Sequence, residues 1–243
     1  MWPLYASTIL LLTTSITANV EKTIFKAPDY NPIPRDSALD NLFLHSLHPD
    51  QWTVRTHLGA AFPTDDEPHG IDTWALLEGL NPGQRYELRV CWLATQPTSF
   101  WLDTFTLDQA FSTPNLISSL SDYAHGRRAS LGDSEFQQLT LARYQANHVA
   151  EEKSLLFLRV QAAADYFSLN KTLMENVPDV HVDLILDPYM FNVFPQSLLP
   201  TAGYILLIAI VAWFLQGWIF KRFNTYIDAA NAEPNQPDLK KVD

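Results

Sequence analysis

The sequence predicts a mainly β fold, an antiparallel β-sandwich followed by one C-terminal transmembrane helix. Three observations predict it: short runs of alternating apolar and polar residues, turn residues every ten or so positions between them, and a long uncharged run near the C-terminus. The chain has 243 residues, 47% hydrophobic and 12% aromatic, a globular composition that can bury a core of ordinary size. Its 16 basic and 27 acidic residues argue against nucleic acid as a partner, because phosphate binding needs clustered Lys and Arg.

Residues 1–18, "MWPLYASTILLLTTSITA", read as a signal peptide. Ile16 and Ala18 stand where a signal peptidase reads, with cleavage expected before Asn19, but no Lys or Arg precedes Leu4, an uncleaved anchor being the alternative. Residues 19–187 then form the sandwich domain. Its clearest strand is "RYELRVCWLA", where Tyr86, Leu88, Val90 and Trp92 alternate with Glu87, Arg89 and Cys91. A turn at Pro82-Gly83 separates it from "DTWALLEGL", a second strand. "TSFWLDTFTL" follows after Pro97 as a third, and "KSLLFLRVQAAADYF" and "VDLILDPY" add two more. Earlier, "NLFLHSL" and "QWTVRTHLGAAF" read as a strand pair joined at "HPD". The pattern changes over residues 107–152, which read as a long insertion carrying Arg127, Arg128 and a short helix over 114–123 capped by Thr113.

Topology comes from the second apolar run. Residues 188–220 hold no charge, and 198–220 would make a helix roughly 34 Å long at about 1.5 Å per residue, enough to span a bilayer. Lys221 and Arg222 follow at once, while the nearest charge before the run is Asp187, so the C-terminus is expected in the cytosol and the sandwich in the lumen. Residues 188–197 form a membrane-interface segment in which Tyr189, Met190, Phe191 and Phe194 reach headgroup depth of the lipid. In the span, Ala202, Ala209, Ala212 and Gln216 share one stripe suited to a neighbouring helix. The tail, 221–243, reads as extended, with no apolar stripe and with Lys240 and Lys241 near its end. That pair resembles the dilysine signal by which coat proteins return residents to the endoplasmic reticulum. Asn170-Lys171-Thr172 is a glycosylation sequon on the luminal side, making Asn170 the candidate acceptor.

Candidate chemistry is sparse. His45 and His48 have the wrong step for ligands on one strand face and read as surface histidines. Asp65, Asp66 and Glu67 read as a solvated loop, a divalent-cation site being the alternative. Asp179, Asp183 and Asp187 share a strand face and, with no cationic neighbour in the sequence, are expected in solvent. The single cysteine, Cys91, allows no internal disulfide and reads as a buried small hydrophobe, an intermolecular bond being the alternative. The GxSxG, Walker and GxGxxG patterns are all missing, so no catalytic, cofactor or metal residue is assigned.

Two resemblances add to this reading. "LEGLNPGQRYELRVCW" resembles the leucine, Pro-Gly turn and tyrosine that form a corner in fibronectin type III and Ig-like sandwiches. More broadly, "LFLHSLHPDQW", "LLEGLNPGQRYELRVCWLATQPTSFWLDTF" and "DPYMFNVFPQSLLPTAGYI" are similar to the small non-catalytic partner of the fungal second mannosyltransferase of glycosylphosphatidylinositol (GPI) anchor synthesis. That resemblance implies an accessory subunit whose partner is a multi-pass enzyme of the endoplasmic reticulum using dolichyl-phosphate mannose, with no cofactor and no catalytic residue of its own. The alternative is an endoplasmic reticulum cargo receptor or chaperone-like binding module. A luminal hydrolase acting through the 65–67 loop is a further rival.

Overall fold

The computed structural model describes residues 19–29, 42–130, 132 and 154–231. The expected signal peptide, most of the second half of the insertion, and Lys240 and Lys241 lie outside the described residues. The chain divides into two units, one ending at Pro195 and the other beginning at Gln196. In order, the elements are β1 (Val20–Lys26), β2 (His45–Leu47), β3 (Thr53–Leu58), β4 (Ile71–Leu80), β5 (Arg85–Trp92), β6 (Thr98–Phe105), α1 (Leu107–Ser112), α2 (Pro114–Ser130), β7 (Ser154–Ala164), α3 (Lys171–Glu175), β8 (Val180–Met190), β9 (Phe194–Pro195) and α4 (Leu199–Asn231).

Two sheets face each other. The first runs β1-β5-β8-β3, with β9 paired to β8, and the second runs β2-β4-β7-β6. The core between them is set by period-two alternation: Tyr86, Leu88 and Val90 from β5 and Val180, Val182, Leu184 and Leu186 from β8 meet Ala75 and Leu77 from β4 and Leu156, Leu158 and Val160 from β7. The second sheet is mixed, because β2 lies parallel to β4 while its other pairs are antiparallel. The expected β2–β3 hairpin therefore does not form. The chain crosses between the sheets at Pro49-Asp50, so β2 joins β4 and β3 pairs with β8. Leu47 thereby faces the inter-sheet core, while Leu44 turns outward into a second cluster.

That second cluster makes a third layer. Trp74 and Leu76 of β4 and Leu155 and Phe157 of β7 point away from the first sheet and are covered by Ala110 of α1 and Leu116 and Leu120 of α2. Sheets buried on both faces read as nearly continuous apolar runs, which is the appearance of "WALL" and "SLLFL". The helix expected over 114–123 extends to Ser130, and a further helix, α1, precedes it. Thr106 caps α1 with a reciprocal capping box: its hydroxyl accepts from Gln109 N and the Gln109 side chain accepts from Thr106 N. Thr113 ends α1, and its carbonyl accepts from Ile117 as α2 begins with Pro114, a residue suited to the first helical position.

The corner between β4 and β5 forms as the resemblance implied. Asn81-Pro82-Gly83-Gln84 closes with Gln84 N donating to Asn81 O at 3.1 Å, and Gly83 at φ 74° takes the position that requires a left-handed residue after proline. Tyr86 is fully buried, and its hydroxyl accepts from Asn81 N at 3.0 Å. Burial pushes its phenol above the ordinary range, opposed by that backbone hydrogen bond.

Candidate functional site

A concavity of about 720 Å³ sits at the β4 start of the helix-covered sheet. Its floor is Asp72 of β4 and Gln161 of β7, which are register partners. One wall is α2, through Ser119, Asp122 and Tyr123, and the other is the loop Asp66–Gly70. A chain of hydrogen bonds fixes the floor. Trp74 Nε1 donates to Ser119 Oγ at 2.9 Å, Ser119 Oγ donates to Asp72 Oδ2 at 2.5 Å, and Gln161 Nε2 donates to Asp72 Oδ1 at 2.7 Å. His69 Nδ1 lies 3.2 Å from Gln161 Oε1, and its ring stacks on Trp101 at 4.3 Å. Gly70 brings the loop against β7 in a left-handed conformation, φ 72°.

Among the described residues, four carboxylates line this cleft, Asp66, Glu67, Asp72 and Asp122, against one guanidinium, that of Arg127, a balance unfavourable to phosphate and other anions. Arg127 is engaged elsewhere as well, since its Nε donates to Phe43 O at 2.7 Å, while Arg128 lies over the Phe43 ring at 6.0 Å. The basic pair thus ties α2 to the segment before β2. Among the described residues no group of three or more His, Cys, Asp or Glu is arranged to hold a metal ion. In the 65–67 loop, Glu67 N donates to Thr64 Oγ1 and Asp65 stands outside the cleft lining. His48 Nε2 lies 3.3 Å from Glu78 Oε2, and His45 belongs to β2.

The outer face of the first sheet carries charges that the sequence left without partners. Asp187 is buried, not solvated as expected; with its register partner Glu87 it meets Arg89, whose nitrogens lie 3.3 Å from Asp187 and 3.4 Å from Glu87. Lys22 reaches Glu87 at 3.4 Å. Two neighbouring buried carboxylates are tolerable only with such cationic company. Asp183 pairs bidentately with Arg55 at 2.7 and 3.0 Å, which holds its carboxyl below the usual range. Asp179, by contrast, is exposed just before β8. Cys91 lies half-buried on this face, less enclosed than expected; its burial there pushes the thiol up, opposed by Arg89.

Other expected positions fall as follows. Asn170 is exposed and caps α3, its Oδ1 accepting from Thr172 N at 3.1 Å; glycan attachment would use the amide nitrogen instead. Tyr189 belongs to β8 and is only 7% exposed; it lies on the outer face of the first sheet, its hydroxyl donating to Glu87 Oε2 at 3.4 Å and its ring under the Arg85 guanidinium at 5.8 Å. Ala202, Ala209, Ala212 and Gln216 all lie on α4, exposed along its length. This helix is long and apolar enough to cross a membrane. It also runs on into the tail expected to be extended. Residues 221–231 contain neither Gly nor Pro, the first proline being Pro234, so nothing stops the helix at the span's end. Phe223, Tyr226 and Ile227 then share a face at helical spacing, an apolar stripe that the extended reading missed.

Comparison with known proteins adds one family likeness. A family model, Pga1, described as GPI-mannosyltransferase II co-activator, matches residues 9–125. The match supports an accessory subunit of the GPI mannosyltransferase II complex. No curated protein and no solved structure matches the chain. The matched stretch takes in β1 to β6, α1 and most of α2, and so includes the cleft's loop and most of its helical wall. It leaves β7, β8 and α4 outside. GPI-anchor synthesis, to which the match points, and the one helix among the described residues that is long and apolar enough to cross a membrane fit a protein of the endoplasmic reticulum membrane.

Proposed function

We propose that this chain is a non-catalytic subunit that stabilises or positions a multi-pass mannosyltransferase of GPI-anchor synthesis. The co-activator match over residues 9–125 carries the reading. In this arrangement α4 threads the membrane once, residues 19–187 lie in the lumen with a glycan on Asn170, and Lys240 and Lys241 face cytosolic coat proteins. Lys221 and Arg222 directly after the apolar run support that orientation. The catalytic partner supplies the chemistry, and Asp72 in the cleft and Glu87, Asp183 and Asp187 on the outer face serve structure, each with the partners described above.

Contact with the partner runs through the stripe Ala202, Ala209, Ala212 and Gln216 on α4. Small residues admit a neighbouring helix closely, and a glutamine in hydrocarbon gains roughly 0.6–2 kcal/mol from a hydrogen bond across the contact. Ala209→Leu with Gln216→Leu is expected to lower recovery of the mannosyltransferase when the tagged full-length chain is purified in mild detergent. Undiminished recovery would remove the helix contact, and recovery of many substoichiometric clients in place of one enzyme would favour a cargo receptor.

A further inference from the structure

The hairpin between β8 and β9 carries an exposed apolar tip on a strained and tightly held backbone. Phe191 is 87% exposed and Val193 70%, although Tyr189 just before them is buried. Phe191 and Asn192 both adopt left-handed conformations, φ 51° and 59°, which non-glycine residues avoid unless their surroundings impose them. Here the surroundings are explicit. Asn192 Oδ1 accepts from Arg85 N at 2.8 Å, Asn192 Nδ2 donates to Gly83 O at 3.2 Å, and Gln84 Nε2 donates to Tyr189 O at 3.1 Å. The tip is thus bolted to the corner between β4 and β5, and its two apolar side chains are held outward.

Two features name the occupant. The first is chain continuity: only the turn Gln196–Leu198 separates β9 from the apolar helix α4, a reach of no more than about 15 Å at roughly 3.8 Å per residue. The second is charge. Exposed Lys26 and Arg85 are register partners beside the same corner, and the Lys26 side chain runs close to Gly83. Apolar side chains with cations beside them suit the boundary between acyl chains and phosphate groups. We propose that the hairpin is a lipid-surface contact, in which Phe191 and Val193 enter the interfacial layer of the bilayer that α4 crosses and Lys26 and Arg85 meet lipid phosphates. This rests on α4 as a span and is independent of which enzyme the chain assists.

The test uses the full-length chain, with Cys91→Ser as background, reconstituted in vesicles of phosphatidylcholine and phosphatidylserine. Phe191→Cys, Val193→Cys and, as a control, Phe167→Cys are spin-labelled one at a time; Phe167 is 82% exposed beyond the end of β7, at the opposite end of the sandwich. The ratio of oxygen to aqueous nickel-chelate accessibility is expected to be several-fold higher at 191 and 193 than at 167. Lys26→Glu with Arg85→Glu should lower that ratio at 191, and removing phosphatidylserine should do the same. Equal ratios at all three positions would overturn the proposal. So would labels at 191 and 193 that become shielded from both agents only when the mannosyltransferase is co-reconstituted, since the occupant would then be protein. All three sites are exposed, so unchanged thermal unfolding confirms that each labelled variant is folded.

Discussion

Gly70→Ala is expected to destabilise the sandwich domain by roughly 2–5 kcal/mol, the sum of a left-handed alanine and an overpacked contact. A Cβ there would run into Ala162 O and would lie 2.8 Å from the Ala162 carbonyl carbon and 2.9 Å from Ala163 Cα, all of them backbone of β7. Backbone cannot swing aside as a side chain does, so the 66–70 loop must lift or β7 must bend. Gly83→Ala supplies the comparison, since Gly83 also has positive φ but its nearest neighbour is the flexible end of Lys26 at 3.8 Å. It should show only the left-handed cost, about 1–2 kcal/mol. Thermal unfolding of the two full-length variants, followed by circular dichroism in detergent, separates the terms. Equal losses would mean that the loop yields easily and that its approach to β7 is not a constraint.

Trp74→Ala is expected to cost about 3–5 kcal/mol, which for a domain of this size lowers the unfolding midpoint by on the order of 10 °C. Trp74 is fully buried in the second cluster, its ring 5.9 Å from Phe105 and 6.3 Å from Phe157, and its Nε1 holds Ser119 on α2. Its loss leaves a cavity beneath the helical layer and releases the hydroxyl that orients Asp72. The damage should therefore be directional. Hydrogen exchange along α1 and α2 should accelerate more than along β5 and β8, whose core residues belong to the other cluster. Uniform acceleration would show that the helices do not form a separable layer.

What the sequence reveals depends on how far apart the partners lie. β5 is legible because one strand holds the whole signal: Tyr86, Leu88 and Val90 inward, Glu87 and Arg89 outward. β1 escaped notice because its inward residues, Glu21, Thr23 and Phe25, include one strong hydrophobe. The parallel docking of β2 on β4 and the pairing of β3 with β8 are non-local choices that no turn residue announces. α1 had a readable signature, Thr106 three residues before Gln109, whereas α2 shows its buried face only at Leu116, Leu120 and Ala124. Asp187 and Arg89 are 98 positions apart and Asp183 and Arg55 are 128 apart, so their pairing was hidden in the chain. The cleft likewise assembles from a loop, a helix and β7. The span and its flanking charges were fully local and therefore visible, while the helix running past Phe220 depended on the absence of a stop signal.

The central claim, a subunit that assists mannosyl transfer without performing it, is tested most directly by assaying transfer of mannose to the GPI precursor in three preparations. These are membranes lacking the chain, the same membranes after resupply of the full-length chain, and the purified chain alone. Transfer should fall in the first, recover in the second and be absent in the third. Unchanged transfer without the chain, or transfer by the purified chain alone, would contradict the account.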